Sequence, residues 1–288
     1  MDYRGRFAPS PTGQLHFGSL AAALGSWLCA RHAGGQWLLR VEDIDPPREV
    51  PGSATGILAA LPAFGLAADA PALYQSQRIA AYDTAFERLR AAGQVFPCWC
   101  SRADLAATGG FHRDGRCVAP PDPQRPPAWR LRAPDIEVAF DDALQGPQRQ
   151  NLRENAGDFV IRRVEGFYAY QLACVVDDAY QGITEVVRGC DLLDSTPRQI
   201  WLQRCLGLPT PRYLHLPLAL DDEGHKLSKS EHAHPVDPRD PLPALRRALR
   251  FLDLPAAIHA ASAEALLERA LHDFDPSRLP HCSNRLAA

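Results

Sequence analysis

Two lysines, Lys226 and Lys229, stand three positions apart in DDEGHKLSKSEHAHP (221–235), and the chain holds no other: the remaining 29 of its 31 basic residues are arginine. An ammonium on a flexible stem can follow a phosphate through a reaction, whereas a guanidinium is a rigid planar fork. The pair therefore suits charge neutralisation on a reacting phosphate; the plainer alternative is a solvated turn, given Gly224, Ser228 and Ser230 beside it. A second candidate is HFGS, His16 to Ser19, at the hand-over from a strand to a helix. Free amides at a helix start bind phosphate, Gly18 permits close approach, and His16 can donate to an oxygen that gains charge, although a lone turn histidine is more often a polar surface residue. A third is Cys98, Cys100, His112 and Cys117, three thiols and an imidazole within 20 residues. With Cys98 and Cys100 on one face of an extended strand, these residues suit a closed tetrahedral zinc site of structural type; ordinary core packing is the alternative.

The elements that must position these groups can be read from periodicity. RGRFAP reads as a strand, SPTG as a turn, and Leu20, Leu24, Trp27 and Leu28 recur at helical spacing up to Gly34 and Gly35, after which QWLLRVE is again a strand. Strand, helix and strand at this spacing form the opening unit of a doubly wound parallel sheet. Helices follow to about Gly93, and APPDPQRPPAW marks an inserted element that continues in short strands. ITEVVRG and DLLDSTPRQIWLQRCLG resume the strand and helix pattern, with Asp194, Ser195 or Thr196 as N-cap and Gly207 as stop. LPALRRALRFLDL and AEALLERALHDF are amphipathic helices of a small end piece.

A net charge of -3 and a pI near 6.4 argue against a general polyanion-binding surface. The opening MDYRGRF carries no apolar leader, and no later run reaches the ~18 apolar residues of a membrane span. A cytoplasmic, monomeric protein is expected. Eight cysteines are too sparse for a disulfide scaffold, so Cys29, Cys174, Cys190, Cys205 and Cys282 read as core thiols.

HFGS and KLSKS, about 210 residues apart and in that order, resemble the HIGH and KMSKS signatures of class I aminoacyl-tRNA synthetases. RFAPSPTGQLHFGS, LLRVEDIDPPR and ACVVDDAYQGITEVVRGCDLLDSTPRQIWL are similar to glutamyl-tRNA synthetases, so the resemblance covers roughly the first 240 residues. Ser19 replaces the last histidine of the first signature and Leu227 the methionine of the second, neither of which supplies the charge.

The resemblance implies an α/β, Rossmann-like doubly wound parallel sheet with an inserted α+β zinc-containing element and a short helical C-terminal part. The expected divisions are 1–95 and 183–236 for the nucleotide-binding halves, 96–182 for the insert and 237–288 for the helical end. It implies attack of the glutamate carboxylate on the α-phosphate of ATP, carried with Mg2+, assisted by His16, Gly18, Lys226 and Lys229, with Ser19 and Ser228 also binding ATP. It carries Arg6 and Arg188 to the glutamate carboxylates, Glu42 to the ammonium, and Ala8, Ser10 and Tyr170 to the amino-acid pocket. Related synthetases also carry one zinc in the inserted region. Only 58 residues follow KLSKS. An anticodon-reading domain is therefore not expected, and the resemblance is greatest to a truncated branch of the family that transfers glutamate to the queuosine base of tRNA(Asp). Two alternatives stay open: a minimal synthetase that charges a tRNA 3' end, helped by Arg149, Arg153, Arg162 and Arg163, and a non-catalytic paralogue that binds glutamate or tRNA.

Overall fold

The computed structural model describes residues 2–106, 109–220, 235–256, 259–281 and the backbone of 285–286. Strand β1 (Arg4–Phe7), helix α1 (Phe17–His32) and strand β2 (Gln36–Val41) form the opening crossover, with β1 and β2 parallel. Helix α2 (Ser53–Ala63), β3 (Leu73–Tyr74) and α3 (Ile79–Ala91) follow, and β3 adds parallel to β2. On the other side of β1 run β9 (Glu185–Gly189) and β10 (Arg212–Leu216), a parallel pair joined by α7 (Thr196–Leu206). The β9 end abuts β1, because the Thr184 amide donates to the Arg4 carbonyl at 2.9 Å. Chain order thus reverses between β1 and β9, and the carboxyl ends on either side of that gap are where an open α/β sheet holds its ligand.

The insert is an antiparallel sheet of β4 (Val95–Cys98), β5 (Ala128–Leu131) and β8 (Phe159–Arg162), with the short helix α4 (Arg102–Ala106). Between β5 and β8, the hairpin of β6 (Glu137–Asp142) and β7 (Gly146–Asn151), followed by α5 (Leu152–Asn155), leaves this sheet. It lies beside β10 instead, Tyr213 pairing with Asp142. Helix α6 (Tyr170–Tyr180) returns the chain to β9. After β11 (Ala219–Leu220) come α8 (Pro241–Phe251) and α9 (Ala263–His272), and β12 (Arg285–Leu286) pairs with β11.

Helix α1 is buried round most of its circumference because the sheet covers one side and α8 and α9 the other. Leu20, Leu24 and Leu28 are fully buried, each contributing about 1.5–3 kcal/mol of transfer free energy. The approach to the sheet is close: a Cβ on Gly25 would meet Leu216 Cδ1 at 2.7 Å. Gly207 ends α7 in the left-handed conformation, φ 60°, as the stop signal requires. Ser195 is the N-cap of that helix, but its hydroxyl accepts from Gln171 instead of capping, and a 3-10 turn over Cys190–Ser195 leads into the helix. Among the described residues, no helix is long and apolar enough to cross a membrane.

Cys29 and Cys174 are buried free thiols, and Cys205 is half-buried. Cys190 departs from the expectation, since it is disulfide-bonded and is no core thiol. Spacing along the chain cannot reveal such a bond, because it depends on which sulfur the fold brings near. Cys282 lies outside the described residues.

Candidate active site and metal cluster

A cavity of about 800 Å3 opens at the gap between β1 and β9, and Arg6, Ala8, Ser10, His16, Gly18, Ser19, Glu42, Tyr170 and Arg188 all line it. Their convergence follows from the strand order. Arg6 is in β1, Glu42 follows β2, and Arg188 is in β9, so three parallel strands deliver charge to one end of the sheet. Lys226, Ser228 and Lys229 lie outside the described residues. The flanks of their segment are described: Leu218 and Ala219 line the cavity before it, and Pro235 lines it afterwards, bridged to His16.

At the phosphate-type end, His16 is the N-cap of α1. Its Nδ1 accepts from the Ser19 amide at 3.3 Å and its Nε2 lies 2.9 Å from Ser19 Oγ. A Cβ on Gly18 would lie 3.4 Å from the same ring, so glycine leaves the imidazole room at the helix start.

Beneath the cavity, behind its lining residues Arg6 and Glu42, the floor rests on a buried ionic network. Asp178 of α6 accepts from Arg6 Nε at 3.1 Å and from Arg40 Nη1 at 2.6 Å. Arg40 Nη2 reaches Glu42 Oε1 at 3.3 Å, and Arg40 itself is fully buried. Burial works against the Asp178 charge, but Arg40 and Arg6 hold its carboxyl well below the usual range. Burial wins at Glu42, whose carboxyl is pushed up although Arg40 and Arg6 oppose the shift.

Arg188 differs from both other arginines. Its Nε donates to His215 at 3.1 Å, Nη1 to Tyr170 Oη at 3.2 Å and Gln199 Oε1 at 2.8 Å, and Nη2 to Thr196 Oγ1 at 2.8 Å and the Leu192 carbonyl at 3.2 Å. All these partners are neutral groups; among the described residues no carboxylate pairs with Arg188, which is 5% exposed. With both acids ionised, the buried group of Arg6, Arg40 and Arg188 against Asp178 and Glu42 carries one net positive charge, and the three of these that line the cavity, Arg6, Arg188 and Glu42, offer two cations and one anion to an amino acid with two carboxylates and one ammonium.

The sequence does not single out Arg40, Asp178, Gln199, His215 or Asp142, and it marks Thr196 only as a helix N-cap candidate. The signal available was a charge or an imidazole inside an apolar strand, in QWLLRV for Arg40 and RYLHL for His215.

In the insert, one ligand atom from each of Cys98, Cys100, His112 and Cys117 lies within 4.8 Å of the others, a group that could hold a metal ion. Strand β4 ends at Cys98, so Cys100 joins the group from the loop beyond, where its sulfur accepts from the Val118 and Ala119 amides at 3.1 and 3.4 Å. Burial raises the Cys100 thiol, but those amides and the neighbouring thiols bring it below its ordinary value. His112 Nδ1 is 2.9 Å from Asp158 Oδ2, while its buried Nε2 has no hydrogen-bond partner. A carboxylate behind one ring nitrogen and an unsatisfied lone pair on the other is the arrangement of a metal-ligating histidine.

Arg149, Arg153 and Arg163, considered for tRNA affinity, are engaged by Glu137, by Asp114 and Asp135, and by Asp45 and Glu165. Arg162 lies over the rings of Phe86 and Tyr168.

Residues 2–239 match the family described as tRNA synthetases class I (E and Q), catalytic domain. A glutamyl-Q tRNA(Asp) synthetase of Xanthomonas campestris pv. campestris (strain 8004) is 58% identical over 291 residues, covering 100% of this chain and 97% of that protein. A protein of the same name from Burkholderia mallei is 56% identical, covering 92% of each. A glutamate tRNA ligase from Elizabethkingia meningosepticum, solved in complex with its amino acid, superposes with a TM-score of 0.83 at 26% identity, covering 100% of this chain and 67% of that one. The chain therefore belongs to the glutamyl-Q tRNA(Asp) synthetase family within the class I tRNA synthetases, and is a ligase-type enzyme.

Proposed function

We propose that the protein activates L-glutamate with ATP and Mg2+ to glutamyl adenylate without needing tRNA, then transfers the glutamate to the queuosine base in the anticodon loop of tRNA(Asp). The observation that carries the amino-acid half is Arg188, a buried cation at the cavity wall with only neutral partners among the described residues, facing the same cavity as Glu42. In this reading Arg188 and Arg6 hold the carboxylates, Glu42 takes the ammonium, and Ala8, Ser10 and Tyr170 shape the wall. His16, Gly18 and Ser19 receive ATP at the start of α1, and Lys226, Ser228 and Lys229 act on its phosphates from the neighbouring segment. The displacement needs placement and charge stabilisation more than proton transfer, so no covalent nucleophile is required. Cys98, Cys100, His112 through Nε2, and Cys117 hold one structural zinc that pins the insert. The protein works in the cytoplasm.

The acceptor half rests on the names of the relatives. It is tested with labelled glutamate and ATP on tRNA(Asp) that contains queuosine and ends in 2',3'-dideoxyadenosine. Labelling is expected to persist there, and to be absent from a transcript without queuosine and from tRNA(Glu). Loss of label on blocking the 3' end would make the enzyme a minimal glutamyl-tRNA synthetase instead.

A further inference from the structure

Arg188 is aimed by residues behind it. His215 of β10 is fully buried and places Nε2 3.1 Å from Arg188 Nε, while its Nδ1 lies 2.6 Å from Asp142 Oδ2 at the end of β6. An arginine only donates, so His215 Nε2 must offer a lone pair, which requires the proton on Nδ1. The ionised Asp142 only accepts and so selects that tautomer. Burial and the Arg188 charge keep His215 neutral against the pull of Asp142. The other oxygen of Asp142, Oδ1, is held by three backbone amides, of Leu144 at 3.0 Å, Gln145 at 2.8 Å and His215 at 3.2 Å. The carboxylate cannot turn without abandoning them.

We infer that Asp142 and His215 are positioning residues, a relay that fixes the Arg188 guanidinium and so sets the preference for glutamate over its neutral analogue glutamine. The inference rests on the assignment of Arg188 to a substrate carboxylate. Its chemistry predicts a particular behaviour for Asp142→Asn, a substitution of the same size. The three amides keep the remaining carbonyl oxygen of the asparagine, so its NH2 group faces His215 Nδ1 and donates to it. The histidine proton then moves to Nε2, where it opposes the Arg188 Nε–H, and the hydrogen bond to the charged group is lost.

The experiment is glutamate- and glutamine-dependent exchange of pyrophosphate into ATP by the full chain, with melting temperature as a folding control. Asp142→Asn and His215→Phe are each expected to raise the glutamate KM about tenfold or more, the scale of one hydrogen bond to a charge. Both should lower the ratio of kcat/KM for glutamate over glutamine while leaving the KM for ATP within twofold. His215→Gln, whose amide oxygen can reach the position of Nε2, should recover most of the loss. Arg188→Ala is the reference. If it raises the glutamate KM while the two relay variants do not, the relay is wrong; if Arg188→Ala itself leaves glutamate binding unchanged, the assignment of Arg188 falls and the relay with it. Nitrogen-15 NMR of the native histidines gives a check independent of any variant, and a His215 protonated on Nε2 alone would overturn the inference.

Discussion

The cavity floor and the cysteine cluster are both buried polar assemblies, yet they are balanced in opposite ways. At the floor, Asp178 joins Arg6 and Arg40 while Arg188 keeps only neutral partners, so positive charge is left over. In the insert, three sulfurs and one unpartnered imidazole nitrogen lie within 4.8 Å of one another, and Arg130 Nε donates to the Cys98 sulfur at 3.2 Å from one side. A floor with unmatched charge suits a ligand that enters and leaves, because protein and substrate each complete the other's charge only while bound. A closed set of four soft ligands suits an ion that stays. The two regions should therefore respond differently to mutation, binding failing at the one and stability at the other.

The largest expected effect tests the part of the floor that is structural. Asp178→Asn leaves Arg6 and Arg40 buried without their shared anion and should cost about 3 kcal/mol or more in a denaturant titration. The sign with pH follows from the depressed carboxyl: its contribution is full above the ordinary carboxylate pKa near about 4 and fades as pH falls below it. The variant should thus lose part of the acid dependence of stability shown by the native chain. An Asp178→Asn protein as stable as the native one at neutral pH would contradict the buried-network reading.

Next in size is the cluster. Metal analysis of the purified native protein should find about one equivalent of zinc, and Cys98→Ser with Cys117→Ser should abolish it and lower the melting temperature by roughly 5 °C or more. Adenylate formation by surviving folded protein should stay within about tenfold, since no cluster residue lines the cavity. Unchanged zinc content and melting temperature would reduce the cluster to core packing.

Glu42→Gln should act in the opposite sense, raising the glutamate KM about tenfold through the lost ammonium contact. The melting temperature should move little, because burial already disfavours the Glu42 charge. A large fall in stability with unchanged KM would erase the contrast between floor and cluster. The smallest effect belongs to the surface: Arg149→Ala breaks an exposed pair with Glu137 and should change stability by less than about 0.5 kcal/mol. Transfer to tRNA(Asp) should also be unaltered, and a clear loss would return Arg149 to the candidate tRNA contacts.

The sequence by itself determined the local parts. The cysteine cluster was legible because its three thiols and the histidine fall within 20 residues, and a short chain between them limits where they can go. The first crossover was legible too, because RGRF, the leucines of α1 and QWLLRV carry their periods in the residues themselves. Tertiary structure alone decided which groups stand behind Arg6 and Arg188. Asp178 is 138 positions from Arg40 and Asp142 is 73 from His215. No period or spacing links them, and they meet only because the sheet order sets β9 beside β1 and β6 beside β10. The partners of a buried charge are chosen by which strands become neighbours, and that choice is made by the burial of the whole core.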